Sequence, residues 1–182
     1  MLPDRVLTTT FTLARRPLLT ALLVGGLTAC EYPRDPDGTL ERVLTDKKLR
    51  VGVSPSEPWV EVGKVDHPVG RASEHQIGGI EPRLVSGFAR HLGVEPVWEV
   101  DGEAGLVEKI ELGMLDLAIG GFTADSQWTS KMGVTRAYTK ARDGHGKKKG
   151  HVIGAPLGEN AFISELERYL DSRPAAEKGG EQ

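Results

Sequence analysis

The chain has 182 residues, 38% of them apolar and 27% charged, with three Trp, three Tyr and four Phe. That is about one domain's worth, enough to bury a single core, and the aromatic content argues against wholesale disorder. A formal charge of −3 with dispersed basic residues argues against a nucleic-acid partner.

The first 30 residues carry an export pattern. Arg15 and Arg16 lead into an uncharged apolar run over 17–29, which ends Leu27-Thr28-Ala29-Cys30. The run is shorter than the roughly 20 residues that span a bilayer, but it suits a signal-peptide core. Its last four residues resemble a bacterial lipobox, in which cleavage leaves Cys30 as a lipidated N-terminus. The other reading is an ordinary signal peptide with a chance cysteine. The register of Leu27, the small Ala29 and Cys30 favours lipidation. Arg15-Arg16 also resembles a twin-arginine signal, so the export route stays open. Cys30 is the only cysteine, so no internal disulfide supports the fold. Without residues 1–29 the chain keeps 25 acidic and 20 basic residues, a net −5. Attachment to anionic lipid would then come from acyl chains, two or more of which hold stably.

Residues 30–38 read as a tether, with two prolines and no apolar period. Thr39 is a candidate N-cap for a short helix with Leu40, Val43 and Leu44 on one face. A strand over 49–53 ends at Ser54-Pro55, and 61–79 is a long loop or small hairpin. The clearest helix covers 82–91, with Ile80, Leu84, Val85, Phe88, Ala89 and Leu92 as its stripe and Gly93 as its stop. A strand over 94–100 follows, then a helix over 103–114 with Leu106, Val107, Ile110 and Met114 inward. A strand over 115–119 closes on Gly120-Gly121. The alternation β-α-β-α-β predicts an α/β fold of three layers, a mostly parallel sheet with flanking helices. Beyond it lie an extended segment over 135–140, a polar turn over 141–150 and a strand over 151–154. The last helix covers 160–172, and the end of the chain (173–182) is a polar, frayed tail. Lys147-Lys148-Lys149 reads as a solvated loop tip.

Four stretches in order resemble the first lobe of the family 3 periplasmic solute-binding proteins. They are Leu40-Glu41-Arg42-Val43 with Leu49 to Ser54; Gly79-Ile80-Glu81-Pro82-Arg83-Leu84; Leu112-Gly113-Met114-Leu115-Asp116 through Gly120-Gly121-Phe122-Thr123; and His151-Val152-Ile153-Gly154 with the final helix. The resemblance covers most of residues 39–172. It implies a single lobe of a periplasmic binding protein type II fold. In the family a whole second lobe separates two hinge segments, whereas here residues 139–150 leave room only for a turn between paired strands.

The resemblance places ligand contacts at Glu57, Trp59, Gly121, Phe122, Thr123 and Trp128. Position by position, Trp128 stands where the family has an arginine that clamps an α-carboxylate, and Trp cannot form that bidentate pair. One open lobe reaches about half of a small ligand. Losing ~150 Å² of apolar burial costs about 4 kcal/mol, nearly a thousandfold in affinity. The implied function is a non-catalytic, membrane-anchored accessory component of a transport system on the periplasmic side of a bacterial membrane. Its implied partners are membrane lipid through Cys30, a transporter permease or second binding chain, and a small polar solute. That reading expects an exposed apolar patch at Trp59, Phe122 and Trp128. A protein-interaction module or a ligand-free relic is the alternative. Relatives of the fold include dehydratases, but this sequence has no nucleophile elbow and no HExxH pairing, so no enzyme is expected. No cofactor is expected, and Asp66, His67 and His75 read better as a polar loop than as a metal site.

Overall fold

Residues 35–63 and 69–179 are described by a computed structural model. The signal segment 1–29, Cys30, the first part of the tether, Asp66, His67 and the last three residues lie outside them.

The strands are β1 (Lys48–Val53), β2 (Glu61–Val62), β3 (Gly70–Ala72), β4 (Ile77–Gly78), β5 (Glu95–Val100), β6 (Leu117–Ile119), β7 (Gly133–Val134), β8 (Thr139–Arg142), β9 (Lys148–His151) and β10 (Gly154–Ala155). The helices are α1 (Thr39–Asp46), α2 (Ile80–Leu92), α3 (Glu103–Glu111) and α4 (Asn160–Asp171). Six strands form the central sheet in the order β3-β5-β1-β6-β10-β7. β5 and β6 flank β1 and run parallel to it; β3 is antiparallel to β5, and β10 is antiparallel to both β6 and β7. Four of the six strands therefore point the same way, as the β-α-β-α-β alternation predicts.

Alternation along β1 sets the layers. Leu49, Val51 and Val53 are buried with Leu84, Val85 and Phe88 of α2 and Phe162, Leu166 and Leu170 of α4. Gly52 faces the other way, where a Cβ would meet Leu106 of α3 at 2.6 Å. On that side Leu106, Val107 and Ile110 pack with Leu115, Ala118, Phe122, Met132 and Val152. Helices thus cover both faces, which parallel strands require because neither face can stay wet.

Two buried carboxylates tie distant segments together. Asp116 is fully buried, and its Oδ2 accepts the Arg50 backbone N–H at 2.8 Å. Its Oδ1 accepts from Arg50 Nε and Nη2 at 3.0 and 2.5 Å and lies 2.9 Å from Arg42 Nη2. Glu159 accepts the N–H groups of Asp37 and Thr39, both at 2.8 Å, and so caps α1 from the far end of the chain. Burial pushes its carboxyl up, but hydrogen bonds from Asp35 and these N–H groups outweigh that and hold it below its ordinary value. Burial and the neighbouring Glu159 push Asp35 up to about 6.

The structure corrects several sequence expectations. α2 begins at Ile80, because Glu81 N donates to the Trp59 carbonyl at 3.0 Å and starts the helix early. α3 stops at Glu111, and the left-handed Gly113 (φ 67°) turns Met114 outward to 52% exposure. Leu44 is also exposed. Within 61–79, β2 and β4 pair antiparallel, which matches the small hairpin of the two alternatives, while β3 joins the central sheet. The extended segments late in the chain divide into the β8–β9 hairpin and β10. Lys148 and Lys149 lie in β9, so the basic run is only partly a loop tip. Residues Ala175–Lys178 form a short 3-10 helix, so this stretch of the tail is ordered.

Replacing Asp116 with Ala removes the partner of a β1 backbone N–H and of the Arg50 guanidinium, and leaves Arg42 only its 3.5 Å bond to Thr39 Oγ1. The expected loss is about 3–5 kcal/mol of unfolding free energy, with Asp116→Asn costing less. Urea denaturation followed by circular dichroism checks this, and a loss below about 1 kcal/mol for the alanine variant contradicts the assigned role.

Candidate functional site

In an α/β sheet the crevice outside the carboxyl ends of the strands, where the chain switches direction, is the natural binding position. Here that point lies between β1 and β6. The loop after β1 turns tightly, with Ser56 and Val60 paired and Trp59 N donating to the Ser56 carbonyl at 2.8 Å. Gly79 closes this loop against α2. Its φ of 103° and the Trp59 carbonyl, which a Cβ would approach to 2.5 Å, admit only glycine. Past β6, Gly121 has φ 67°, and a Cβ there would meet Trp59 Cδ1 at 2.7 Å.

Glu81 joins the two loops. Its side chain is fully buried; Oε2 accepts from Gly120 N at 2.9 Å and Gly121 N at 3.0 Å, and Oε1 accepts from the Tyr138 hydroxyl at 2.8 Å. Burial pushes the Glu81 carboxyl up to about 7, against the pull of these three bonds. Burial and the Glu81 carboxylate together raise the Tyr138 hydroxyl far above its ordinary value.

Trp59 sits above this tie and is covered on several sides. The His151 ring stacks on it with centroids 3.7 Å apart and planes 27° apart. Tyr138 meets it edge-on at 6.4 Å. A Cβ at Gly179 would come within 3.2 Å of Trp59 Cζ3, so the end of the described chain closes another edge. Trp59 is only 9% exposed and Phe122 3%. The exposed apolar patch expected at Trp59, Phe122 and Trp128 is therefore not present. The short return of the chain is the physical reason. Val152 N bonds the Phe122 carbonyl, Ala124 N bonds the Gly150 carbonyl, and Thr123 bridges to His151, so β9 lies directly on the turn after β6.

The remaining site residues divide between surface and core. Glu57 is exposed at the tip of the loop after β1. Thr123 is half-buried and donates its hydroxyl to Asp125 at 2.7 Å. Lys149 pairs with Asp125, and the two contacts hold that carboxyl at about 2. Phe122 points into the cluster around α3. Half-buried Trp128 packs on the same cluster and donates Nε1 to Glu103 at 2.7 Å. Glu57, Gly121 and Thr123 lie at the rim, while Trp59 and Phe122 are interior.

Sequence reasoning missed His151 and Tyr138 as members of this site. His151 Nδ1 is buried without a hydrogen-bond partner, and burial lowers the imidazole's pKa. The contact its ring makes is the stack on Trp59. The twelve-residue connection was the available signal, since so short a link returns the chain onto the turn after β6. Surface hollows of about 460 and 560 Å³ exist, lined respectively by Arg42, Leu112, Lys131 and Leu157 and by Arg83, Arg90, Tyr169 and Arg173. Neither touches Trp59 or Thr123. Among the described residues no group of three or more His, Cys, Asp or Glu side chains converges on a metal position.

No protein-family model matches the sequence, and no curated protein matches it. Solved structures do. The arginine-bound form of domain 1 from TmArgBP, a T. maritima protein, matches with a TM-score of 0.59 and 20% identity over 72% of this chain and 98% of that one. An ancestral cationic amino acid solute-binding protein, AncCDT-1, gives 0.61 at 12% identity, covering 78% of this chain and 95% of that one. A Streptococcus pneumoniae ABC-transporter substrate-binding protein with bound histidine gives 0.56 at 9%, covering 75% and 91%. At these identities the likeness shows the fold: one lobe of a periplasmic solute-binding protein.

A carboxyl whose folded pKa of about 7 exceeds the unfolded value of 4.5 binds its proton more tightly in the native state. Its stabilising contribution is complete below about pH 4.5, falls as pH rises towards 7, and is gone above. In Glu81→Gln the amide oxygen can still accept from the glycines while the amide group faces Tyr138. The stability difference between wild type and this variant should shrink by on the order of 3 kcal/mol from pH 4.5 to 7. Thermal or urea unfolding at several pH values measures it; parallel profiles would remove the assignment.

Proposed function

We propose that this chain, with the fold of one solute-binding lobe, is a non-catalytic accessory component of a transport system, held on the periplasmic side of a bacterial membrane by acyl chains on Cys30. Recognition in this reading is shared with a permease or a second binding chain that meets the rim of Glu57, Gly121 and Thr123 rather than an exposed apolar face. One observation carries it: the Trp59 face that would meet a free solute is already stacked against His151 at 3.7 Å. What stays accessible at the strand ends is a rim of Glu57, Gly121 and Thr123, too open to enclose a small molecule. Buried Glu81 and Asp116 support a non-catalytic reading, because each spends its acceptor capacity on structural donors.

A second reading is direct capture of an amino acid by the lone lobe. It is favoured by the arginine-bound form of domain 1 from TmArgBP, a single domain with its ligand.

Two measurements separate the readings. Isothermal titration of the isolated chain with arginine, histidine and pooled amino acids should give dissociation constants weaker than about 1 mM, which corresponds to less than about 4 kcal/mol of binding. Affinity capture from detergent-solubilised membranes should retain a permease or second binding chain. Micromolar binding by the isolated chain replaces the first reading with the second.

A further inference from the structure

Large apolar side chains are exposed at five positions among the described residues: Leu44, Val69, Leu112, Met114 and Leu157. Scattered singly they would need no explanation. Four of them gather where the folded body begins. Leu112 and Leu157, 65% and 56% exposed, line one hollow together with Asp37 and Thr39. Met114, 52% exposed, lies two residues beyond Leu112. Leu44 lines a neighbouring hollow with Asp35, Gly38 and Leu40.

Topology places this cluster at one end of the sheet. Leu112 and Met114 lie in the turn that leads into β6, hence at its amino end. Leu157 follows β10, which runs antiparallel to β6, so it emerges at the same end. Gly120 and Gly121, at the carboxyl end of β6, lie at the opposite one. Val69 is there too, since its neighbour Gly70 pairs with Val100 at the carboxyl end of β5.

The covalent chain identifies what can cover this pole. Cys30 precedes Asp35 by five residues, which fully extended reach at most about 18 Å. An acyl group on Cys30 would therefore keep the amino end of the sheet within that distance of the lipid. Leucine and methionine on such a surface settle about 5–10 Å into the boundary between headgroups and acyl chains. The flanking charges, Asp37 and Glu111 against Arg42 and Lys131, balance, and the exported chain is net acidic, so attraction to anionic headgroups contributes little.

We propose that Leu112, Met114 and Leu157 form a lipid-facing pole that rests on the membrane surface to which Cys30 is tethered, an inference that depends on the anchoring proposed above. This second contact orients the lobe. The rim of Glu57, Gly121 and Thr123 then faces away from the bilayer, where a solute or a partner's soluble domain can reach it.

The test uses the full lipidated chain in phosphatidylcholine vesicles. Because acylation consumes Cys30, a cysteine placed by Leu112→Cys or Leu44→Cys takes a single environment-sensitive fluorophore. His145→Cys in the β8–β9 turn gives the control. Spin-labelled lipid should quench the probe at 112 at least threefold more than the probe at 145, equally at low and high salt. In the Leu112→Ser/Met114→Ser/Leu157→Ser variant, quenching at 44 should fall to the level at 145 while co-sedimentation with vesicles persists. Equal quenching at 112 and 145 on anchored protein overturns the pole and leaves the anchor standing. Shielding at 112 that persists without lipid and grows with protein concentration assigns the surface to a second copy instead, and also overturns it. Cys30→Ser tests the anchor separately: protein that still sediments overturns the anchoring reading but supports a lipid-binding pole.

Discussion

Everything at the carboxyl end of the sheet depends on one buried carboxylate. Glu81 is in the first turn of α2, yet it accepts hydrogen bonds from Gly120 and Gly121, and from Tyr138 on the segment leading into β8. Loops after β1 and β6, with the crossing to the hairpin, are thereby locked into one unit. Trp59 is buried because that unit leaves it no other place, with Gly79 and Gly121 close beneath and His151 above. A charge-bearing group enclosed this completely is costly unless every oxygen is matched to a donor, and here each is.

The sequence made the layered architecture legible where burial is periodic. The stripe of Leu84, Val85, Phe88 and Ala89 and the stop at Gly93 define α2 without any tertiary information, and the apolar positions of β1 and β6 place them in the sheet. Local pattern failed where a contact between distant residues decides. Met114 continues the apolar period of α3, but Gly113 reverses the backbone before it can turn inward. Trp59 and His151 are 92 positions apart, and neither residue's neighbours announce their stack. Tyr138 likewise reads as an ordinary strand aromatic until Glu81 is seen beside it. The sequence thus placed the candidate residues on the loops after β1 and β6, but not their burial or their partners.

The short connection between β8 and β9 changes what this end of the lobe is. A long insertion would leave Phe122, Thr123 and Trp59 facing a second body across open space. The hairpin, with a turn of only residues 143–147, instead brings β9 back onto the turn after β6, where Val152 and Ala124 continue the backbone pairing. Apolar surface that an absent wall would leave wet is covered from within, by His151 and by the 3-10 helix at Ala175–Lys178 with Gly179 beyond it. This self-coverage keeps Trp59 off the surface, where exposed aromatic area of that size favours association.

The capping of α1 by Glu159 has a mechanical side. Asp37 and Thr39 are fastened to Glu159, 122 and 120 positions further along, at the entry to α4 rather than inside α1 itself. A tug on the N-terminus therefore cannot peel α1 away one turn at a time. The load passes through two backbone clasps into the β10–α4 corner and the middle of the sheet, so the body resists shear as a whole.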